Sequence, residues 1–307
     1  MKVLLTGGAG FIGSHVIEKL LQEKCQVIVI DNLSTGLKEN VPENVKFIGI
    51  DIGSEKVFEV FAKESFDAVI HLAAQTMVPV SLGRPDYDCQ ENILGTVNIL
   101  EACRKTGVRR IVFASSAAVY GNVNRVPILE SEEANPMSFY GLSKLTVEKY
   151  LKLYHKIYGL EYVVLRYSNV YGERQGDSSE GGVVSIFTRK IRQGELLTVF
   201  GDGNQTRDFI YAGDIALANW LALITSNAND VYNISTQTET SINELVRLLE
   251  GAAAKRVEKV YSSIQEGDIY RSSLNNTKAG EKLKWQPLVT LDKGLARTYK
   301  WLYKKLK

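Results

Sequence analysis

Thr6–Gly13 reads TGGAGFIG, set between a short apolar run, Lys2–Thr6 (KVLLT), and a helically spaced segment, Phe11–Gln22. Gly7, Gly10 and Gly13 recur at three-residue steps. Glycines there let the chain turn tightly and let its backbone approach a pyrophosphate. The helix N-terminus then offers free N–H groups and the positive end of its dipole. A glycine pattern alone also fits a plain tight turn, and the spacing is G-x-x-G-x-x-G, not the plain G-x-G-x-x-G. Asp31 sharpens the reading. It ends a second apolar run, VIVID, where a carboxylate accepts hydrogen bonds from an adenosine ribose and repels a 2′-phosphate. Together they predict a bound dinucleotide, NAD rather than NADP.

Outward from this corner, strand-like and helix-like segments alternate. Val27–Ile30, Val45–Ile50, Ala68–His71, Arg110–Ala114 and Tyr162–Arg166 are mostly apolar runs, most of them separated by helical patterns. Such strands joined by helices make a parallel sheet covered on both faces. After about Ser168 the rhythm breaks, and Gly, Ser, Asp and Arg crowd GERQGDSSEGG. A helix near Asp214–Leu223 and a strand at Val231–Ile234 return to the sheet. The expected division is interleaved: residues 1–168 with 213–236 bind the dinucleotide, and residues 169–212 with 237–307 bind the substrate.

Lys+Arg number 37 and Asp+Glu 35, a net charge of +2, so composition demands neither nucleic acid nor an anionic membrane as partner. Hydrophobic residues are 45% of the chain, enough for a large core. No stretch approaches ~18 apolar residues, and MKVLLTGGAG is too short in its apolar run for a signal peptide. Cys25, Cys89 and Cys103 are odd in number and widely spaced, and read as buried thiols of a reducing compartment. The expectation is a cytoplasmic protein without a metal site.

The chemistry is sought in FYGLSKLTVEKY, Phe139–Tyr150, which places Tyr140 and Lys144 on one helical face. A phenol titrates near 10 and acts as a base at neutral pH only if its anion is stabilised; an ammonium one turn away does that. Y-x-x-x-K is weak alone. Ser115 and Ser116, in FASSAAVYG at the end of a strand, strengthen it: a serine there hydrogen-bonds the substrate oxygen that the tyrosine deprotonates. Asp51-Ile52 follows the third strand, where a carboxylate meets an adenine amino group. His71 reads as a satisfied core histidine.

TGGAGFIG, DNLSTG, HLAAQ, SSAAVYG, YGLSK and RYSNVYG, in this order, resemble the extended short-chain dehydrogenase/reductases over nearly the whole chain. Within them the chain looks most like the UDP-glucose 4-epimerases and their UDP-N-acetylhexosamine relatives. The resemblance implies a doubly wound parallel Rossmann sheet with a smaller, interleaved α/β domain. It implies that Ser116, Tyr140 and Lys144 are the catalytic set. The NAD site would be lined by Gly7, Gly10, Phe11, Ile12, Gly13, Asp31, Asn32, Leu33, Ser34, Thr35 and Gly36. Asp51, Ile52, Leu72, Ala73, Ala74, Gln75, Asn92 and Ser115 would extend it, with Ser168 by the nicotinamide.

The C-terminal half suits a UDP-sugar. Asn169 donates to a phosphate or sugar oxygen, and Gly181, Gly182, Val183 and Val184 open a helix that serves as an anion site. Thr198, Val199 and Phe200 form a wall for the uracil. Arg207 and Arg271 neutralise the diphosphate, a role that suits guanidinium. Asp268 belongs to the same group, and Gln265 stands where the family often has a basic residue. Ser272 aligns with the position beside carbon 2 of the sugar, where a tyrosine excludes an N-acetyl group and a small residue admits it. Ala117 and Ala118 follow Ser116 where related dehydratases and decarboxylases carry acids, and alanines move no protons. The expected activity is UDP-hexose 4-epimerisation with tightly bound NAD, regenerated each turnover. A UDP-uronic acid 4-epimerase or a reductase is the alternative within enzymes, and a non-catalytic NAD-binding protein the alternative outside them. By resemblance, helices near Glu91–Lys105 and Tyr140–Tyr158 would pair as a four-helix bundle in a homodimer.

Overall fold

The computed structural model describes residues 1–123, 125–176, 182–264 and 269–305, with side chains to residue 302. Seven strands form one sheet: β1 Lys2–Thr6, β2 Gln26–Ile30, β3 Lys46–Ile48, β4 Ala68–His71, β5 Arg110–Ser116, β6 Glu161–Tyr167 and β7 Asp230–Ile234. Their spatial order is β3-β2-β1-β4-β5-β6-β7, and every pairing is parallel. The third strand is shorter than the apolar run around it suggested.

Burial on both faces explains the nearly continuous apolar strands. Side chains alternate across a strand, so Val3, Leu5, Val27 and Val29 join one core, while Leu4, Ile28 and Ile30 join the other. The first core is closed by the helices Phe11–Gln22 and Ala212–Ile224. The second is closed by Lys56–Glu64, Gly95–Thr106 and Phe139–Tyr158. A third core, with Phe187, Val199, Phe209 and Leu245, gathers the helices Val183–Gln193, Ile242–Ala253 and Leu291–Lys305 into a smaller body.

The register fixes where a ligand sits. Thr6 pairs with Ile30 and His71, His71 with Phe113, and Ser116 with Tyr167. The carboxyl ends of all these strands therefore face one edge. Strand order reverses between β1 and β4, and in open sheets the crevice beyond such a switch point holds the ligand. Among the described residues, no helix is long and apolar enough to cross a membrane. Cys25 and Cys103 are buried, but Cys89 is exposed, against the expectation of three buried thiols. It begins a π-helical turn, Cys89–Leu94, on a helical run whose inward face is taken by residues such as Asp88 and Asn92.

Candidate active site

The glycine corner follows from sterics. Gly7 takes φ +71°, a left-handed conformation that glycine enters at no steric cost. A Cβ on Gly13 would sit 2.2 Å from the Gly7 carbonyl oxygen, so the turn closes onto its helix only with glycine there. That helix starts at Gly10 with no side-chain cap and no acid in its first turn. Its N–H groups and dipole are left for an anion. Asp31 secures the corner: Oδ2 accepts from the Ala9 N–H at 2.9 Å and Oδ1 from the Leu33 N–H at 2.8 Å. Each oxygen keeps lone-pair capacity for a ribose hydroxyl.

The other end is built by β5 and the helix Phe139–Tyr158. Ser138 caps that helix, its Oγ accepting from the Gly141 N–H at 3.1 Å. A Cβ on Gly141 would lie 2.5 Å from the Ala118 carbonyl oxygen, so glycine lets the first turn rest on the chain leaving β5. This contact brings Tyr140 and Ser116 to one wall of the cleft, where the Ser116 Oγ accepts from the Ala118 N–H at 3.2 Å. Burial holds the Tyr140 phenol above its ordinary range; the Ser116 hydroxyl opposes the rise and the Asp88 carboxylate adds to it. Lys144 donates from Nζ to the Ala114 carbonyl at 2.9 Å, and its Nζ lies 5.8 Å from the Tyr140 ring centre. Burial pulls Lys144 down to about 8, with Asp88 pulling it back up.

His71 is a core group. Thr96 Oγ1 donates to the Asn92 carbonyl and therefore accepts from His71 Nε2 at 2.9 Å, while Thr6 Oγ1 donates to Nδ1 at 2.6 Å. Burial, with the Lys144 charge added, drives its pKa to about 3, so the ring is neutral.

A cleft of about 610 Å³ joins the two ends. Its wall includes Gly7, Gly10, Phe11, Ile12 and Gly13, then Asp31, Asn32, Ser34, Thr35 and Gly36, then Ile52 and the run Leu72, Ala73, Ala74 and Gln75. Ser115, Ser116, Tyr140, Lys144 and Ser168 continue it, and Asn169, Gly182 and Val183 face them from the smaller body. The Ser168 hydroxyl is buried with no partner among the described residues. That orphan, the bare helix N-terminus and the spare capacity of Asp31 fit a dinucleotide laid along the strand ends.

Other expected residues stand off this wall. Leu33 is exposed with φ +60°. Asp51 spends Oδ1 on the Gly53 N–H and Oδ2 on Asn32 Nδ2. Asn92 is buried behind the wall, accepting from the Gln75 N–H at 2.8 Å and donating to its carbonyl at 2.9 Å. Ser115 reaches the cleft, but its hydroxyl is turned away and donates to Glu148 Oε1 at 2.6 Å. Val199 is buried in the third core beside half-buried Thr198, and exposed Phe200 borders a separate cavity of about 30 Å³ with Gln205, Ile264 and Tyr270. Arg207 donates to the Thr206 and Ile269 carbonyls at 2.8 and 2.7 Å. Arg271 forms a bidentate pair with Glu239 at 2.9 and 2.6 Å. Ser272 is half-buried beside Ser273, which donates to Asp208 Oδ2 at 3.1 Å. Gly181, Gln265 and Asp268 lie outside the described residues.

The cleft also takes Thr76, Met77, Tyr87, Glu91, Gln175 and Phe209, which the sequence reading passed over. Gln175 had a signal, since it follows closely on the quoted RYSNVYG. The others carry no local mark, because only the packing of their elements aims them at the cleft.

Residues 3–235 match the family model described as the NAD dependent epimerase/dehydratase family. The chain is 36% identical over 311 residues to the UDP-glucose 4-epimerase of Mycolicibacterium smegmatis, covering 99% of each. It is similar to the solved structure of UDP-glucose 4-epimerase from Thermotoga maritima with UDP-glucose, at TM-score 0.97 and 42% identity over 100% of both chains. It is also similar to UDP-N-acetylglucosamine 4-epimerase from Methanobrevibacter ruminantium in complex with UDP-N-acetylmuramic acid. There the TM-score is 0.95 and the identity 35%, over 99% of this chain and 98% of that one. A match of this length leaves no element of the sheet or the cleft outside it: the chain belongs to the NAD-dependent epimerase/dehydratase family, among its UDP-sugar 4-epimerases.

Proposed function

We propose that the protein interconverts the 4-epimers of UDP-glucose and UDP-galactose, and of their N-acetyl forms, through a transient 4-keto sugar. The observation that carries this is the meeting of Ser116, Tyr140 and Lys144 at one edge of the cleft, with Ala117 and Ala118 next in the chain. Bound along the strand ends by the glycine corner and Asp31, NAD would supply the hydride acceptor for carbon 4 and, once reduced, the hydride donor. Tyr140 removes the 4-hydroxyl proton and later gives it back. Ser116 holds the 4-oxygen in place. Lys144 offsets the cost of a buried phenolate. Alanines at 117 and 118 leave no group to deprotonate carbon 5, so the keto sugar has no route but to turn over. Residues 1–168 with 213–236 would hold the dinucleotide, and 169–212 with 237–307 the UDP-sugar.

A neutral sugar is favoured over a uronic acid by charge. Among the described residues lining the cleft, Lys144 is the only lysine or arginine, so a sugar carboxylate would meet no guanidinium there. The test is incubation with UDP-galactose and UDP-N-acetylgalactosamine without added cofactor, followed by chromatography. UDP-glucose and UDP-N-acetylglucosamine should form, and denatured protein should release NAD. Release of NADP would remove Asp31 from its role, and consumption of exogenous NAD(H) in proportion to product would make the protein a reductase.

Ser272 sets the substrate range in this reading. Its neighbour Ser273 is pinned to Asp208, and Phe209, next along, lines the cleft. A serine leaves space that a tyrosine would fill, and a pocket excludes an oversized substrate by sterics. Ser272→Tyr should abolish turnover of the N-acetyl sugar and spare the plain hexose. If wild type ignores the N-acetyl sugar, or the variant loses both activities equally, the gate lies elsewhere.

We also infer a homodimer. Leu142, Tyr150, Leu153 and Ile157 leave an exposed apolar stripe along the helix Phe139–Tyr158, and Leu94 is exposed on the neighbouring helical run. A patch of this kind marks an interface. Sedimentation should give twice the chain mass; a monomer at micromolar concentration would contradict it.

A further inference from the structure

Asp88 ends the short helix Pro85–Asp88, which runs on through Cys89–Leu94 into Gly95–Thr106. Its side chain is 1% exposed. Oδ1 accepts from Gln75 Nε2 at 2.8 Å and from Asn92 Nδ2 at 3.0 Å. The same Asn92 nitrogen donates to Ser143 Oγ at 3.2 Å, and Ser143 precedes Lys144 on the facing helix. Among the described residues no ion pair reaches Asp88. It is a buried carboxylate whose hydrogen-bond partners are all neutral amides. Lys144 is its mirror image: a buried ammonium, 4% exposed, with the Ala114 carbonyl as its hydrogen-bond acceptor. Each charge alone is costly in such surroundings, and each is the natural counter-charge of the other.

We propose that Asp88 is a positioning residue for the Tyr140–Lys144 couple, its carboxylate supplying the counter-charge that keeps Lys144 an ammonium while its amide partners hold the cleft wall at Gln75. The inference rests on reading Tyr140 and Lys144 as the acid–base pair. Asn92 ties Asp88 to Ser143, next to Lys144 in the chain, and the Asp88 charge raises both Tyr140 and Lys144. It therefore opposes each loss of a proton from the couple. The active form, phenolate beside ammonium, is flanked by one form with an extra proton and one with a proton fewer. Removing a negative charge moves both boundaries to lower pH.

The other groups facing the couple do not mimic this. His71 on β4 is neutral, and Arg166 on β6 is matched by Glu148 at 2.6 Å. Asp86 is exposed and paired with Arg84 at 3.0 Å. Glu91 and Tyr87 line the cleft, Cys89 is exposed, and Tyr167 lies on β6; none of these charges is removed by a change at 88. Glu101 serves Arg104 and Tyr154 at the far end of the helix pair.

The experiment is Asp88→Asn, whose amide oxygen can still accept from Gln75 and Asn92. Both limbs of the pH–rate profile should move to lower pH by about half a unit or more. A second readout needs no turnover: the tyrosinate absorption of the protein minus that of its Tyr140→Phe variant isolates one of 15 tyrosines. That difference titration should move the same way, with bound NAD and melting temperature near wild type. Asp88→Glu disturbs the packing and retains the charge, so its limbs should stay in place. Limbs and titration unmoved by Asp88→Asn, or moved equally by Asp88→Glu, would overturn the proposal. Full activity in Tyr140→Phe would instead overturn the couple itself, and so separates the two failures.

Discussion

Tyr140→Phe should turn over almost no UDP-sugar while still binding NAD and UDP-sugar. The substitution removes one oxygen from the ring and leaves its packing. The phenol is the proton-transferring group of the proposed reaction, at the edge where Ser116 and Lys144 converge, and the residues that follow Ser116 are alanines. A positioned acid–base group contributes roughly 100- to 10,000-fold. Loss on that scale, with dissociation constants little changed, is the expected result. A variant retaining more than about a tenth of the wild-type rate has lost under roughly 1.4 kcal/mol in the barrier, and Tyr140 is then not the base. Measuring bound NAD after purification separates this from a folding defect.

Glu148→Ala should be the most destabilising of the changes considered. Glu148 is two helical turns past Tyr140, 2% exposed, and accepts from Arg166 Nε and Nη2 at 2.9 and 2.6 Å. Its Oε1 also takes the Ser115 hydroxyl. Truncating it leaves the Arg166 guanidinium buried against Tyr120, with its centre 4.7 Å from that ring and no counter-charge. Removing one partner of a buried pair costs about 3–5 kcal/mol. In a chain of this size that lowers the melting temperature by roughly 10 °C. Replacing both partners, Glu148→Leu with Arg166→Met, should recover much of the loss, because the desolvation penalty leaves with the charges. A single-variant cost below about 1 kcal/mol would mean that water reaches Arg166 and the pair is not closed.

Much of the fold was legible because its signals are local. The glycine corner, Asp31 at the end of VIVID, and Tyr140 with Lys144 each depend on residues within a turn or two. Short-range geometry places them the same way in any context that keeps the strand or helix. The return of the helix Ala212–Ile224 to the sheet was likewise written in its largely apolar sequence, AGDIALANWLALI. What the sequence could not decide was the direction of individual side chains. Ser115 and Ser116 are neighbours on one strand, yet alternation sends one hydroxyl to Glu148, 33 residues on, and leaves the other on the cleft wall that Tyr140 shares. Arg271, chosen as a phosphate ligand for its charge, is held by Glu239, 32 residues away. Val199 was expected at a uracil, and strand pairing turned it into the third core. Asp88 drew no notice, because nothing local tells an exposed aspartate on a helix from a buried one. Its burial is set by the packing of two helices against each other, and only that packing links its carboxylate, through Asn92, to Ser143, the residue before Lys144.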